Sequence, residues 1–145
     1  MKTLVINGAT RPDGDTQALL DAFLQELSGE TMIVSRKDAI SPCIDCRRCW
    51  TQPGCAINDD MQSVYRFHEQ CDNIVIASPI WYSSLSGPAL NILSRMQSLF
   101  AARFRRGERR AAEKNGVLIL VGAQPETKDA PLFSALTVMR TMQVK

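Results

Sequence analysis

The sequence predicts one three-layer α/β/α domain built on a parallel sheet, and three observations lead there. Four short apolar runs, at 3–7 (TLVIN), 31–34 (TMIV), 73–77 (NIVIA) and 117–121 (VLILV), read as strands of a sheet covered on both faces. Each is followed by a stretch whose apolar residues recur at helical spacing, so the order is β-α-β-α-β-α-β-α. The chain has 145 residues, 45% of them hydrophobic and 22% charged, which suits one real core and is too short for two.

Taken in order, the first strand is closed by Gly8. From Thr16, the residues Leu19, Leu20, Phe23, Leu24 and Leu27 mark a helix that Ser28 and Gly29 end. After the second strand comes an irregular, cysteine-bearing segment over 40–58. Asp59 is the expected N-cap of the next helix, with Met61, Val64 and Phe67 on one face and Cys71 at its far end. The third strand is expected to stop at Ser78-Pro79. A single helix follows Gly87-Pro88, with Leu90, Leu93, Met96 and Phe100 along one side. The fourth strand ends at Gly122, and Pro131 opens a last helix through Leu136 and Met139.

The net charge of +2 demands neither nucleic acid nor an anionic membrane as partner. The one basic concentration, from Arg103 to Lys114, is expected to be a solvated loop. No run approaches the roughly 20 apolar residues of a membrane span. The start lacks a secretory apolar region, so a cytoplasmic location is expected. Structural disulfides are uncommon there, and five cysteines then point to metal, cluster or redox chemistry or to buried thiols.

Three stretches carry candidate chemistry. The loop from Gly8 to Thr16 lies between a strand and a helix, where backbone amides and the helix dipole favour an anion. Arg11 adds a cation, and Thr10 and Thr16 add hydroxyls. A turn without a ligand is the competing reading. The stretch Ser78 to Ser83 faces that loop across the switch point, and its Trp81 and Tyr82 can line a flat ring. Cys43, Cys46, Cys49 and Cys55 follow a C-x2-C-x2-C-x5-C spacing that can converge on one small volume. It suits a four-thiolate [4Fe–4S] cluster, a zinc site or an unligated loop. Cys71 reads as core. His68 reads as a surface residue, and Asp59-Asp60 as cap and first-turn charge.

Together these features resemble the NAD(P)H-dependent FMN reductase and iron–sulfur flavoprotein branch of the flavodoxin-like superfamily. The matching stretches run from Leu4-Val5-Ile6-Asn7-Gly8 to Gly14-Asp15-Thr16 and from Pro42-Cys43 through Cys55. They continue in Asp59-Asp60-Met61, in Ile76-Ala77-Ser78-Pro79-Ile80 and in Ser86-Gly87 through Arg95. The resemblance implies a flavodoxin-like sheet of order 2-1-3-4 with the fifth strand missing, so that the chain is truncated or an oligomer covers the edge. It implies FMN with its phosphate on Thr10, Arg11, Gly14, Asp15 and Thr16. The ring would lie against Pro79, Ile80, Trp81, Tyr82 and Ser83, with Gly122, Ala123 and Gln124 on its other side. It also implies a homodimer that passes electrons from NAD(P)H or a ferredoxin-like donor to a flavin, quinone or similar small-molecule acceptor. In iron–sulfur members a cysteine motif of this spacing carries a [4Fe–4S] cluster. Serine is usual in the family where this chain has Ala9, and asparagine where it has Asp15. Those two departures sustain a further alternative, a cofactor-less binding module.

Overall fold

The computed structural model of the chain describes residues 1–108, 112–124, 126 and 128–145. The elements run β1 Lys2–Asn7, α1 Asp15–Gln25, β2 Glu30–Ser35, a 3₁₀ turn Arg48–Trp50, α2 Met61–Gln70 and β3 Asn73–Trp81. After these come β4 Ser84–Leu85, α3 Gly87–Ser94, α4 Gln97–Phe104, β5 Asn115–Val121 and α5 Asp129–Thr141. β1 pairs in parallel with β2 and β3, and β3 in parallel with β5, which gives the order β2-β1-β3-β5. The expected parallel sheet is therefore present. The short β4 adds an antiparallel hairpin partner at the tip of β3, Ile80 opposite Leu85 and Trp81 opposite Ser84.

Alternate residues of the central strands feed two cores. Leu4, Ile6, Ile74 and Ile76 are buried with Met61, Val64 and Phe67 of α2, with Ala89, Ile92 and Leu93 of α3, and with Ala135 and Met139 of α5. Val5, Val75 and Ala77 face the other way, against Leu20 of α1. Complete burial of both strand faces is why these runs show no polar alternation. Parallel pairing places the strands' C-terminal ends, and the loops that leave them, along one rim.

Several sequence expectations give way. β3 does not stop at Ser78-Pro79 but continues to Trp81, because Pro79 keeps its parallel register opposite Val121 and the hairpin with β4 extends the strand. The single helix after Gly87-Pro88 is two helices, broken at Arg95 and Met96, so Leu93 and Met96 are buried while Leu90 and Phe100 are partly exposed. α1 ends at Gln25, before Ser28 and Gly29, and Leu19 lies on its exposed side. α2 takes Asp60 rather than Asp59 as its capping position.

His68 is not a surface residue. It is 2% exposed, and its Nε2 lies 3.1 Å from the Met142 carbonyl. Burial, the larger effect, and the nearby Lys114 charge push its pKa down to about 4, while its bond to Met142 opposes the shift. Lys114 is likewise no part of a solvated loop: it is 2% exposed and donates from Nζ to the Cys71 carbonyl at 2.8 Å. Of the other basic residues in that run, Arg109 and Arg110 lie outside the described residues.

Candidate functional site

Along the rim, β1 delivers the loop that opens with Gly8. Its N–H donates to the Ala77 carbonyl at 2.7 Å, and its own carbonyl accepts from Ser86 Oγ at 2.8 Å. Ser86 is the N-cap of α3, so one hydroxyl ties the loop to a helix start while accepting from the Ala89 N–H. A Cβ at position 8 would stand 2.7 Å from Ser86 Oγ, 2.8 Å from Ala89 Cβ and 3.0 Å from the Ala77 carbonyl. Only glycine lets the backbone pass that close. Asn7 holds the next step, its Oδ1 accepting from the Ala9 N–H at 2.9 Å. Gly14 then caps α1 through extended backbone with no side-chain cap, leaving the first-turn amides to other acceptors.

This loop, the end of β3 and the segment after β5 line one cavity of about 400 Å³. Thr10, Arg11, Gly14, Asp15 and Thr16 come from the first, Pro79, Ile80 and Trp81 from the second, and Gly122 and Ala123 from the third. Gly122 sits so near Ile80 that a Cβ there would be 3.1 Å from Ile80 Cδ1. Ten of the thirteen residues expected around FMN therefore share the cavity, and Tyr82, Ser83 and Gln124 do not line it. Tyr82 and Ser83 form the hairpin tip with φ of 49° and 56°, the left-handed pair that a two-residue turn demands. Tyr82 is consequently fully exposed. A mixed polar and apolar cleft at strand ends, with glycines where the walls come closest, fits a phosphate joined to a flat ring.

The second candidate lies on the outer side of the α3–α4 junction. Cys43, Cys46, Cys49 and Cys55 all line a cavity of about 300 Å³ with Trp50, Ile57, Arg95, Gln97 and Ser98. Burial, and then the neighbouring thiols Cys55, Cys43 and Cys46, push the Cys49 thiol up. No three His, Cys, Asp or Glu side chains among the described residues stand close enough together to hold a metal ion. Cations surround the loop all the same. Arg47 and Arg105 lie over the Trp50 ring, at 4.9 and 4.2 Å from its centroid, and Arg106 donates to the Cys49 carbonyl. Two residues near the start of the basic run, Arg105 and Arg106, thus pack on the cysteine segment, although Arg105 also stays open to solvent.

The residue that sequence reasoning missed is Arg95. It is 1% exposed and grips Asp59 with both ends of its fork, Nη1 to Oδ2 at 2.6 Å and Nη2 to Oδ1 at 3.1 Å. Burial alone would raise the Asp59 carboxyl, but hydrogen bonds from Arg95 and the Ser41 N–H, with the Arg95 charge, hold it below the usual carboxylate value. Arg95 Nε is buried without an acceptor among the described residues. The only cue in the sequence was the neighbouring helix break, which apolar spacing conceals.

Similarity to known proteins decides the family. The model of the family described as NADPH-dependent FMN reductase matches residues 1–145. The chain belongs to that family. A Bacillus subtilis protein, YwqN, whose name describes an NAD(P)H-dependent FMN-containing oxidoreductase, is 32% identical over 136 residues, covering 92% of this chain and 74% of its own. An iron–sulfur flavoprotein of Methanocaldococcus jannaschii is 29% identical over 103 residues, 68% of this chain and 53% of that protein. The chain thus spans about half the length of that iron–sulfur flavoprotein relative. Among solved structures, the Trp repressor binding protein of Bacillus subtilis superposes with a TM-score of 0.64 at 22% identity, covering 99% of this chain and 81% of that one. That likeness supports the flavodoxin-like fold.

Proposed function

We propose that this FMN reductase family chain is the flavin-binding core of an oxidoreductase that moves electrons from NAD(P)H or an electron carrier to a flavin, quinone or similar acceptor. The observation that carries the reading is the one cavity walled by the loop after β1, the end of β3 and the segment at the end of β5. When bound, FMN supplies the redox chemistry, accepting and passing on hydride or single electrons. The chain's own residues bind and orient. The amides of the Gly14–Thr16 helix start, the Thr10 and Thr16 hydroxyls and Arg11 would hold the phosphate. Pro79, Ile80 and Trp81 would flank one side of the ring and Gly122 and Ala123 the other, while Tyr82 and Ser83 would offer a projecting tip at its edge.

An adjoining cavity of about 380 Å³ shares Ala9, Thr10 and Arg11 with the flavin cleft and adds Arg36 and Lys37. Its cations support an anionic donor such as a nicotinamide dinucleotide. The family's homodimer would cover apolar side chains left open on α3, α4 and α5, among them Leu90, Phe104 and Phe133. The test is titration of the protein with FMN, followed by flavin fluorescence. Stoichiometric quenching, lost on closing the cleft with Gly122→Val, is expected. A folded protein that leaves FMN fluorescence unchanged overturns the reading and favours a cofactor-less module.

A second reading has its own observation. Four cysteines and a buried guanidinium line one cavity, a donor set that suits an anionic thiolate cluster. Cys43, Cys46, Cys49 and Cys55 would hold a [4Fe–4S] cluster that relays electrons to the flavin. Iron and labile sulfide near four each per chain after anaerobic reconstitution are expected (roughly, one cubane per chain). Stoichiometric zinc without iron would assign the loop to a structural tetrathiolate.

A further inference from the structure

Both ends of the cysteine segment meet one ion pair. At the entrance, the Ser41 N–H donates to Asp59 Oδ2 at 3.0 Å, and the Ser41 carbonyl accepts from Arg95 Nη1 at 2.8 Å. At the exit, the Ile57 carbonyl accepts from Arg95 Nη2 at 3.3 Å, and the Met61 N–H donates to Asp59 Oδ1 at 3.1 Å. Two further ties come from the same corner. Ser94 Oγ accepts from the Cys43 N–H at 3.0 Å, and the Arg95 carbonyl accepts from Tyr65 Oη at 2.7 Å. The Arg95 side chain itself lines the cavity that the four cysteines line.

We propose that the Asp59–Arg95 pair is the positioning element of the cysteine loop. It cinches the two ends of the segment to one point, which keeps the four thiols on one cavity, where a bound metal would draw them together. This role rests on the reading of the four cysteines as a thiolate site and adds the residues that shape it. Neither residue is a ligand. A planar five-donor fork is the side chain that can hold one carboxylate and two carbonyls at once, and a lysine cannot reproduce it. Partners of this outer kind commonly govern metal affinity by 10- to 100-fold.

The experiment compares metal-free, reduced wild type with Asp59→Asn and Arg95→Lys. Cobalt(II) is the probe, followed through its thiolate charge-transfer and tetrahedral d–d bands. Phenylarsine oxide is a second probe: it condenses with two adjacent thiols, forming two As–S bonds and releasing water. Wild type is expected to show the tetrathiolate cobalt spectrum, and Asp59→Asn to bind cobalt at least about tenfold more weakly with altered d–d bands. Its FMN affinity should stay within about twofold of wild type. A folded Asp59→Asn or Arg95→Lys variant with wild-type cobalt affinity, spectrum and arsenical uptake overturns the proposal.

If wild type takes up the arsenical but no cobalt, the metal reading fails, and the arsenical uptake of the variants decides the positioning role alone. If wild type takes up neither, both are overturned. Should both variants fail to fold, amide hydrogen exchange of metal-free wild type decides. Slow exchange at Ser41, Cys43 and Met61 supports the pair, and exchange at the open-chain rate there overturns it.

Discussion

The proposed flavin cleft and the cysteine cavity sit on the same scaffold and are built by opposite means. The cleft is made of backbone: Gly8 and Gly122 let walls approach, Gly14 starts a helix, and Ser86 fastens the loop through a single hydroxyl. The cysteine cavity is made of side chains, held by a buried ion pair whose partners touch both ends of the loop. The difference has an energetic consequence. A cleft of backbone fails when a side chain is added, whereas a loop held by charge fails when one charge is removed.

The largest effect should come from Asp59→Ala. It leaves the Arg95 cation buried without its carboxylate, a change of about 3–5 kcal/mol in unfolding free energy. Urea denaturation should show it as a lower midpoint; a loss below about 1 kcal/mol would mean that water reaches Arg95 and the clamp is weak.

Next in size is a test of α2, the helix that lends Tyr65 to the cysteine side. His68 is neutral when folded, with a pKa near 4 against 6.5 in the unfolded chain. The unfolded state binds the extra proton first, so stability falls as pH drops from about 6.5 towards 4, by up to about 3 kcal/mol. Asp59 acts in the same sense at lower pH: its depressed carboxyl stabilises the fold above the ordinary carboxylate range and that contribution vanishes as the pH falls through the folded value. His68→Gln should flatten the upper window and leave the lower one. Thermal melts over this pH range distinguish the two.

On the flavin side, Gly8→Ala forces a Cβ against Ser86, Ala89 and the Ala77 carbonyl. A loss of about 1–3 kcal/mol in stability is expected, as for other overpacked sites. FMN binding should weaken in parallel, while the thiol reactivity of the cysteine loop stays as in wild type. The smallest effect is a gain. Asp15 places a carboxylate in the first turn of α1, on the wall expected to take a phosphate dianion. Asp15→Asn should tighten FMN by about 1 kcal/mol, roughly a fivefold change in Kd by flavin fluorescence quenching. An unchanged Kd would place the phosphate elsewhere along the loop.

The central strands β1 and β3 were legible because burial on both faces removes polar residues, which leaves an unambiguous run such as 74–76. By contrast, β2 and β5 were read as equally buried and are in fact partly open. The loop from Gly8 was legible because glycine between a strand and a helix has few other uses. What escaped was decided by contacts far apart in sequence. His68 sits beside Glu69 and looks polar, yet Met142 and Lys114 close over it. Arg95 follows a run of apolar helix positions and looks like an ordinary helix end. Its role depends on Ser41, Ile57 and Asp59, which no local pattern brings together. Asp59 was read as a cap, and it does accept the Met61 N–H, but both of its oxygens also belong to the ion pair.

The meeting of Ser41 and Ile57 at one guanidinium makes the segment between them a cassette. Its two ends are stitched side by side, in the manner of an Ω-loop, so the chain enters and leaves at nearly the same place. Residues inside such a loop can be lengthened, shortened or exchanged while the sheet below keeps its register. The same scaffold can therefore carry a cluster-bearing, zinc-bearing or bare version of the loop. For protein engineering, 42–56 is the natural place to graft a new loop onto this sheet.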